Sequence, residues 1–263
     1  MKTTTGFKAR IAVRVIAKGG KFLGDDISGA LITIHNAHTQ ELLASGRTQG
    51  GSGDIWEVMI KPRPRTEPIP DKGASVFEAE IGIRNNDPVL LLITARGPGS
   101  GLQSVATTST TQWIVPGVTH KGKKTAVDYS CELELPGLIV QVMEPATHLN
   151  ITAKLPQSIN FSVNVAMMCG CPIDGNTDTD GTHRFPNPWR VDDFIVGCYI
   201  SCEGKATEHI SLHFDKANAP GRYTGKWQMK TAGFYTCHIY AYQISTKNTG
   251  CATVSVFSIP KSK

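Results

Sequence analysis

Residues 167–185, MMCGCPIDGNTDTDGTHRF, bring two Met, a Cys-x-Cys pair, alternating Asp and Asn, and a His into one short stretch. Two cation chemistries are written there. The run Asn176-Thr177-Asp178-Thr179-Asp180-Gly181 approximates the opening of a calcium loop. In such a loop alternate oxygen-bearing side chains converge on a hard cation and a Gly permits the sharp turn. Asp174 extends the alternation, so Asp174, Asn176, Asp178 and Asp180 are the candidate calcium ligands. The motif is incomplete, because Asn stands first and Asn187 sits where a bidentate Glu would close the shell. A solvated polar turn is the competing reading.

The second chemistry is softer. Met167, Cys169, Cys171 and His183 offer thioether, thiolate and imidazole, a set that suits copper or zinc. On a regular strand Cys169 and Cys171 would point the same way about 7 Å apart, so one ion would need the chain to bend at Gly170 and Pro172. Against this stands the reading of Met167, Cys169, Cys198 and Cys237 as core residues or a disulfide, free Cys being among the most buried residue types.

Other chemistries are poorly represented. Residues 117–124, GVTHKGKK, approach a phosphate loop, but Lys124 replaces the magnesium-binding Ser or Thr and a strand pattern follows instead of a helix. No G-x-S-x-G or H-E-x-x-H occurs. His209 and His213 fall on the polar face of a strand whose other face carries Ile210, Leu212 and Phe214. Asp192-Asp193 beside Trp189 and Arg190 reads as a surface turn or as contacts for a small polar ligand. The basic residues Lys61, Arg63, Arg65, Lys121, Lys123 and Lys124 lack interleaved aromatics, which argues against nucleic acid.

The elements that must position these residues are strands. The 263 residues are 40% hydrophobic and 19% charged, enough to build cores, and 26 Gly with 15 Pro favour turns over helices. Apolar residues recur with period two in ALITIH, VFEAEIGI and IWEVMI, and PVLLLITA reads as a strand covered on both sides. Residues 61–75 hold four Pro and read as a long connection or insertion. No segment reaches the roughly 18 apolar residues of a membrane helix. IAVRVIA, interrupted by Arg14, does not make a secretory signal core. The expected compartment is therefore cytoplasmic, or extracytoplasmic if a leader has been removed.

The strand pattern breaks at Pro136-Gly137 between ELEL and LIVQVM, which divides the chain into domains 1–137 and 138–263. In the second, Gly233-Phe234-Tyr235-Thr236-Cys237 resembles the G-x-Y-x-C of an immunoglobulin-type strand. That resemblance implies a Tyr235 hydroxyl bonded back to upstream backbone, and Cys237 facing Cys169 across two sheets. FSVNVAMMC, residues 161–169, would supply the facing strand, and the Trp of that family's third strand has no clean counterpart, Trp189 coming early. SGALITIHNAHTQELLASGRTQGGSGDIWEVMI more loosely resembles carboxypeptidase-regulatory-like or transthyretin-like sandwiches. The expected fold is all-β, two consecutive β-sandwiches, the second immunoglobulin-like.

Residues 172–190 then form a long loop at one end of the second sandwich, beside residues 245–250, where such folds place recognition. The expected function is a non-catalytic binding or assembly module that takes a protein partner or small ligand there, with bound calcium as one version. The alternatives are an enzyme or enzyme subunit with a Cys/His/Met metal or thiol centre at residues 167–183, and a structural subunit of an oligomer or larger assembly, since sandwich edges invite partners.

Overall fold

The structure, a computed structural model, describes residues 7–69, 73–83, 87–120, 123–125, 127–152, 154–173, 188–218 and 220–258. It is all-β, and it divides into two compact units: residues 1–100 with 105–136, and residues 101–104 with 137–263.

The first unit contains β1 (Phe7–Ala17), β2 (Leu31–Asn36), β3 (Leu42–Arg47), β4 (Phe77–Ile83), β5 (Val89–Gly97), β6 (Ala106–Ile114), β7 (Val118–His120), β8 (Lys123–Thr125) and β9 (Asp128–Leu135). A three-stranded sheet runs β4-β1-β9, with β1 antiparallel to β4 and parallel to β9. A four-stranded sheet runs β3-β2-β5-β6, and β7 with β8 forms a separate hairpin. Alternation explains the core: Ile11, Val13 and Val15 of β1, Ile32 and Ile34 of β2, and Leu133 and Leu135 of β9 are buried. Each such side chain contributes about 1.5–3 kcal/mol of hydrophobic stabilisation. At the sheet edges Phe77 of β4 fills the space that a side chain on Gly46 of β3 would occupy.

Two expectations for this unit are corrected. IWEVMI is not a strand: Trp56–Ile60 form one turn of π-helix in which none of the five residues is buried. Apolar residues at alternate positions over so short a run fit a helical turn as well as a strand, and tertiary context decided. PVLLLITA is not covered on both sides either. In β5 Leu91, Ile93 and Ala95 are buried while Leu92 and Thr94 are only half-buried, because the pleat turns alternate residues away from the core.

The second unit contains β10 (Leu138–Glu144), β11 (Leu149–Asn150), β12 (Gln157–Met167), β13 (Phe194–Cys202), β14 (Lys205–Phe214), β15 (Arg222–Met229), β16 (Gly233–Gln243) and β17 (Asn248–Ser258). They form one eight-stranded sheet, β10-β12-β15-β14-β13-β16-β17-β11. It folds over at β14, which ladders with β13 along most of its length but meets β15 only at His213 and Phe214. The two halves close on a core that includes Phe161, Val163, Val165, Trp227, Ile239 and Val254. Trp227 of β15 packs edge-on against Tyr235 of β16, ring centroids 4.8 Å apart. The Tyr235 hydroxyl donates to the Thr231 carbonyl at 3.1 Å, giving this sandwich an immunoglobulin-like corner.

Candidate recognition site

The roots of the 172–190 segment are firmly built. After β12 the chain turns through Met168, Cys169 and Gly170, with the Gly170 amide donating to the Met167 carbonyl at 2.8 Å. Gly170 has φ of 80°, a conformation that only Gly adopts without strain. Pro172 then bridges to Ala166, and Ile173 is fully buried. The expectation that Cys169 lies on the strand is therefore corrected. β12 ends at Met167, and Cys169 is buried in the turn that follows.

The chain re-enters the described structure at Pro188, and Trp189 is buried. A 3-10 turn, Val191–Asp193, leads into β13. Asp193 is the hub. Its carboxylate accepts from the Gln243 amide at 3.0 Å, the Ser245 backbone N–H at 2.8 Å and the Ser245 hydroxyl at 2.5 Å. Its carbonyl accepts from the Ile244 N–H at 2.8 Å. The turn between β16 and β17 is thereby tied to the chain that enters β13. Asp193 is thus a structural acceptor rather than a ligand contact. Asp192 pairs with Arg190 at 3.2 Å on the surface, and that hydrogen bond holds its carboxyl below the usual range. Such an exposed pair contributes little to stability.

Of the candidate ligands, Asp174, Asn176, Asp178, Asp180 and His183 lie outside the described residues. Met167 and Cys169 are fully buried and Cys171 is half-buried. Among the described residues no three His, Cys, Asp or Glu side chains converge as a metal site would require. Cys237 is buried in β16 and Cys198 in the adjacent β13, where the Cys198 thiol donates to the Tyr199 carbonyl at 3.6 Å. The neighbouring Cys237 thiol, followed by burial, pushes the Cys198 thiol well above its ordinary range, and Cys198 in turn draws Cys237 down. The two are diagonal neighbours, since Cys198 pairs with Ile239 and Ile200 with Cys237.

A further array emerges on the outward face of β14, β13, β16 and β17. Tyr199, His209 and Tyr240 form a triangle, with centroid separations of 4.6, 5.3 and 5.9 Å. The His209 Nε2 and Tyr240 hydroxyl lie 3.0 Å apart. Gly197 makes this possible: a Cβ there would meet the Tyr240 oxygen at 2.8 Å and His209 Nε2 at 3.0 Å, so Tyr240 lies across β13 only because position 197 is bare. Phe234 and Phe257 stack at 5.5 Å on the same face. The signal was present in GFYTCHIYAYQ, where Phe234, His238, Tyr240 and Tyr242 all occupy even, outward positions.

No protein-family model matches the chain, and no curated protein matches it significantly. Solved structures resemble it distantly. An engineered protein is 15% identical with a TM-score of 0.32, over 49% of this chain and only 22% of its own. Fibronectin(III)-like modules of Clostridium thermocellum CbhA are 10% identical with a TM-score of 0.27, covering 95% of this chain and 93% of theirs. A chimeric titin Z1Z2 tandem is 8% identical with a TM-score of 0.25, covering 97% and 93%. At such TM-scores the fold assignment rests on the strand pairing itself.

Proposed function

We propose that this protein is a non-catalytic binding module, with a transthyretin-like sandwich in its first unit and an immunoglobulin-like one in its second. Recognition of a protein partner or small ligand is assigned to the end of the second unit where residues 172–190 leave and rejoin the sheets. The observation that carries this reading is the Asp193 cluster, which fastens the loop root to the Gln243–Lys247 turn through four hydrogen bonds. A long loop on a rigid, hydrogen-bonded base is how sandwich folds present contact surfaces at low ordering cost. The candidate calcium ligands Asp174, Asn176, Asp178 and Asp180 belong to the same proposal. No described helix is long and apolar enough to cross a membrane.

The test replaces residues 174–187 with a Gly/Ser linker of equal length and compares pull-downs with the intact chain. Partners retained by the intact chain and lost by the replacement support the reading; identical retention ends it. Calcium is tested separately, by the melting temperature in chelator against millimolar calcium, where a bound ion raises it. No difference removes calcium from the proposal.

A further inference from the structure

The outward face of the β14-β13-β16-β17 sheet carries two sets of near-parallel rings. Tyr199 and Tyr240 are inclined by only 24°, Phe234 and Phe257 by 22°. Tyr199 is 58% exposed and Phe234 63%. Tyr240 follows Phe234 by six positions along β16, which places the two sets about 20 Å apart along the strand. Between and beside them stand hydrogen-bonding groups: His238 with Thr253 at 3.1 Å, Thr236, Ser201 and Ser211. From Ile195 to Ser201, His209 to His213, Phe234 to Tyr242 and Thr249 to Phe257, the outward positions hold no Asp, Glu, Lys or Arg.

Each property selects a ligand. Flat exposed rings suit a ligand with an apolar ring face, and two sets far apart suit a chain rather than a single ring. Hydroxyl and imidazole groups both donate and accept, which suits a ligand dense in hydroxyls. Charge stands only at the two ends of this face, Lys247 over the Tyr242 ring at 5.9 Å and Glu203 beside Phe234, so the stretch between the two ring sets has no means of attracting an anionic or cationic partner. A protein partner is favoured by protruding anchors that enter pockets, whereas here Tyr240 is laid flat over Gly197. We propose that this face binds an extended, neutral glycan chain, with Tyr199–Tyr240 and Phe234–Phe257 as two stacking platforms and His209 and His238 among its hydrogen-bonding groups. The site is separate from the loop end proposed above.

Native electrophoresis of the full chain through gels containing hydroxyethylcellulose, β-1,4-xylan or glycogen tests this, with polygalacturonate as the anionic control. At least one neutral polymer is expected to retard the protein. Tyr199→Ala and Phe234→Ala, both exposed positions whose melting temperature should barely move, should each weaken that retardation about tenfold. Replacement of residues 174–187 should leave it intact, which separates this site from the loop. Absence of retardation by every neutral polymer, equal retardation of the variants, or preference for polygalacturonate would overturn the proposal. So would a dimer in sedimentation that Tyr199→Ala dissolves, because the face would then belong to a second copy of the chain.

Discussion

The side-chain amide of Asn248 pairs with both backbone groups of Gly137: its oxygen accepts from the Gly137 N–H and its nitrogen donates to the Gly137 carbonyl, each at 2.7 Å. The bonds are buried, and they span 111 residues of chain. They sit where β10 and β17 come together without a backbone ladder, so a side chain performs the pairing that a neighbouring strand would otherwise supply. Ser104 does the same further along, with its hydroxyl accepting from the Val140 N–H at 2.9 Å and donating to the Val140 carbonyl. Gln103 accepts from the Thr253 N–H at 2.7 Å.

Asn248→Ala leaves a buried donor and a buried acceptor unsatisfied, and should cost about 2–4 kcal/mol. Urea unfolding followed by Trp fluorescence measures it. Asn248→Asp should cost more at neutral pH, because a carboxylate would face the Gly137 carbonyl. It should regain part of the loss in acid, where the protonated form can again donate. A loss below half a kcal/mol for Asn248→Ala would mean that the seam does not depend on this pair.

Tyr235→Phe keeps the ring against Trp227 but removes the hydroxyl that donates to the Thr231 carbonyl, and should destabilise by about 1–2 kcal/mol. Thr231→Ala removes only the 2.7 Å contact between the two hydroxyls and leaves the bond to the carbonyl, so its effect should be smaller. The order of the two denaturation midpoints is the check.

Tyr223→Phe should act in the opposite direction. The Tyr223 hydroxyl is buried in β15 with no hydrogen-bond partner among the described residues, and burial pushes its pKa up. Removing an unsatisfied buried hydroxyl while keeping the ring against Phe214 should stabilise by about 1 kcal/mol. A lower melting temperature in Tyr223→Phe would show that the hydroxyl has a partner after all.

The thiols should separate by exposure. Cys251 is exposed, Cys171 and Cys202 are half-buried, and Cys131, Cys169, Cys198 and Cys237 are buried. A fast phase of labelling by a neutral disulfide reagent should therefore come from Cys251 and vanish in Cys251→Ser. Cys131 adds a pH effect, since burial pushes its thiol up to about 11 from the ordinary 9.0. The folded state keeps this proton longer than the unfolded chain. The resulting stability is complete below pH 9.0 and is lost as pH rises towards about 11. Cys131→Ala should flatten the fall in stability across that window, and an unchanged slope would assign it to other groups.

The architecture was largely written in local pattern. Period two marked β2 and β4, and Pro136-Gly137 stands where the two units divide. What local pattern lacked was arbitration over short runs. Trp56–Ile60 is compatible with strand or helix until its surroundings exist, and the stop of β12 at Met167 depends on the turn that Gly170 and Pro172 complete.

By itself, then, the sequence determined that this chain is built of strands and which side of most strands faces inward, because alternation along a pleated backbone is a local property. Only the tertiary structure decided which strands became neighbours. That choice set Cys198 beside Cys237, fastened Asp193 to Ser245, laid Tyr240 across Gly197 to His209, and gave Gly137 to Asn248. The physical reason is that period two specifies a face and never a partner: register between distant strands is fixed when both faces find their burial together.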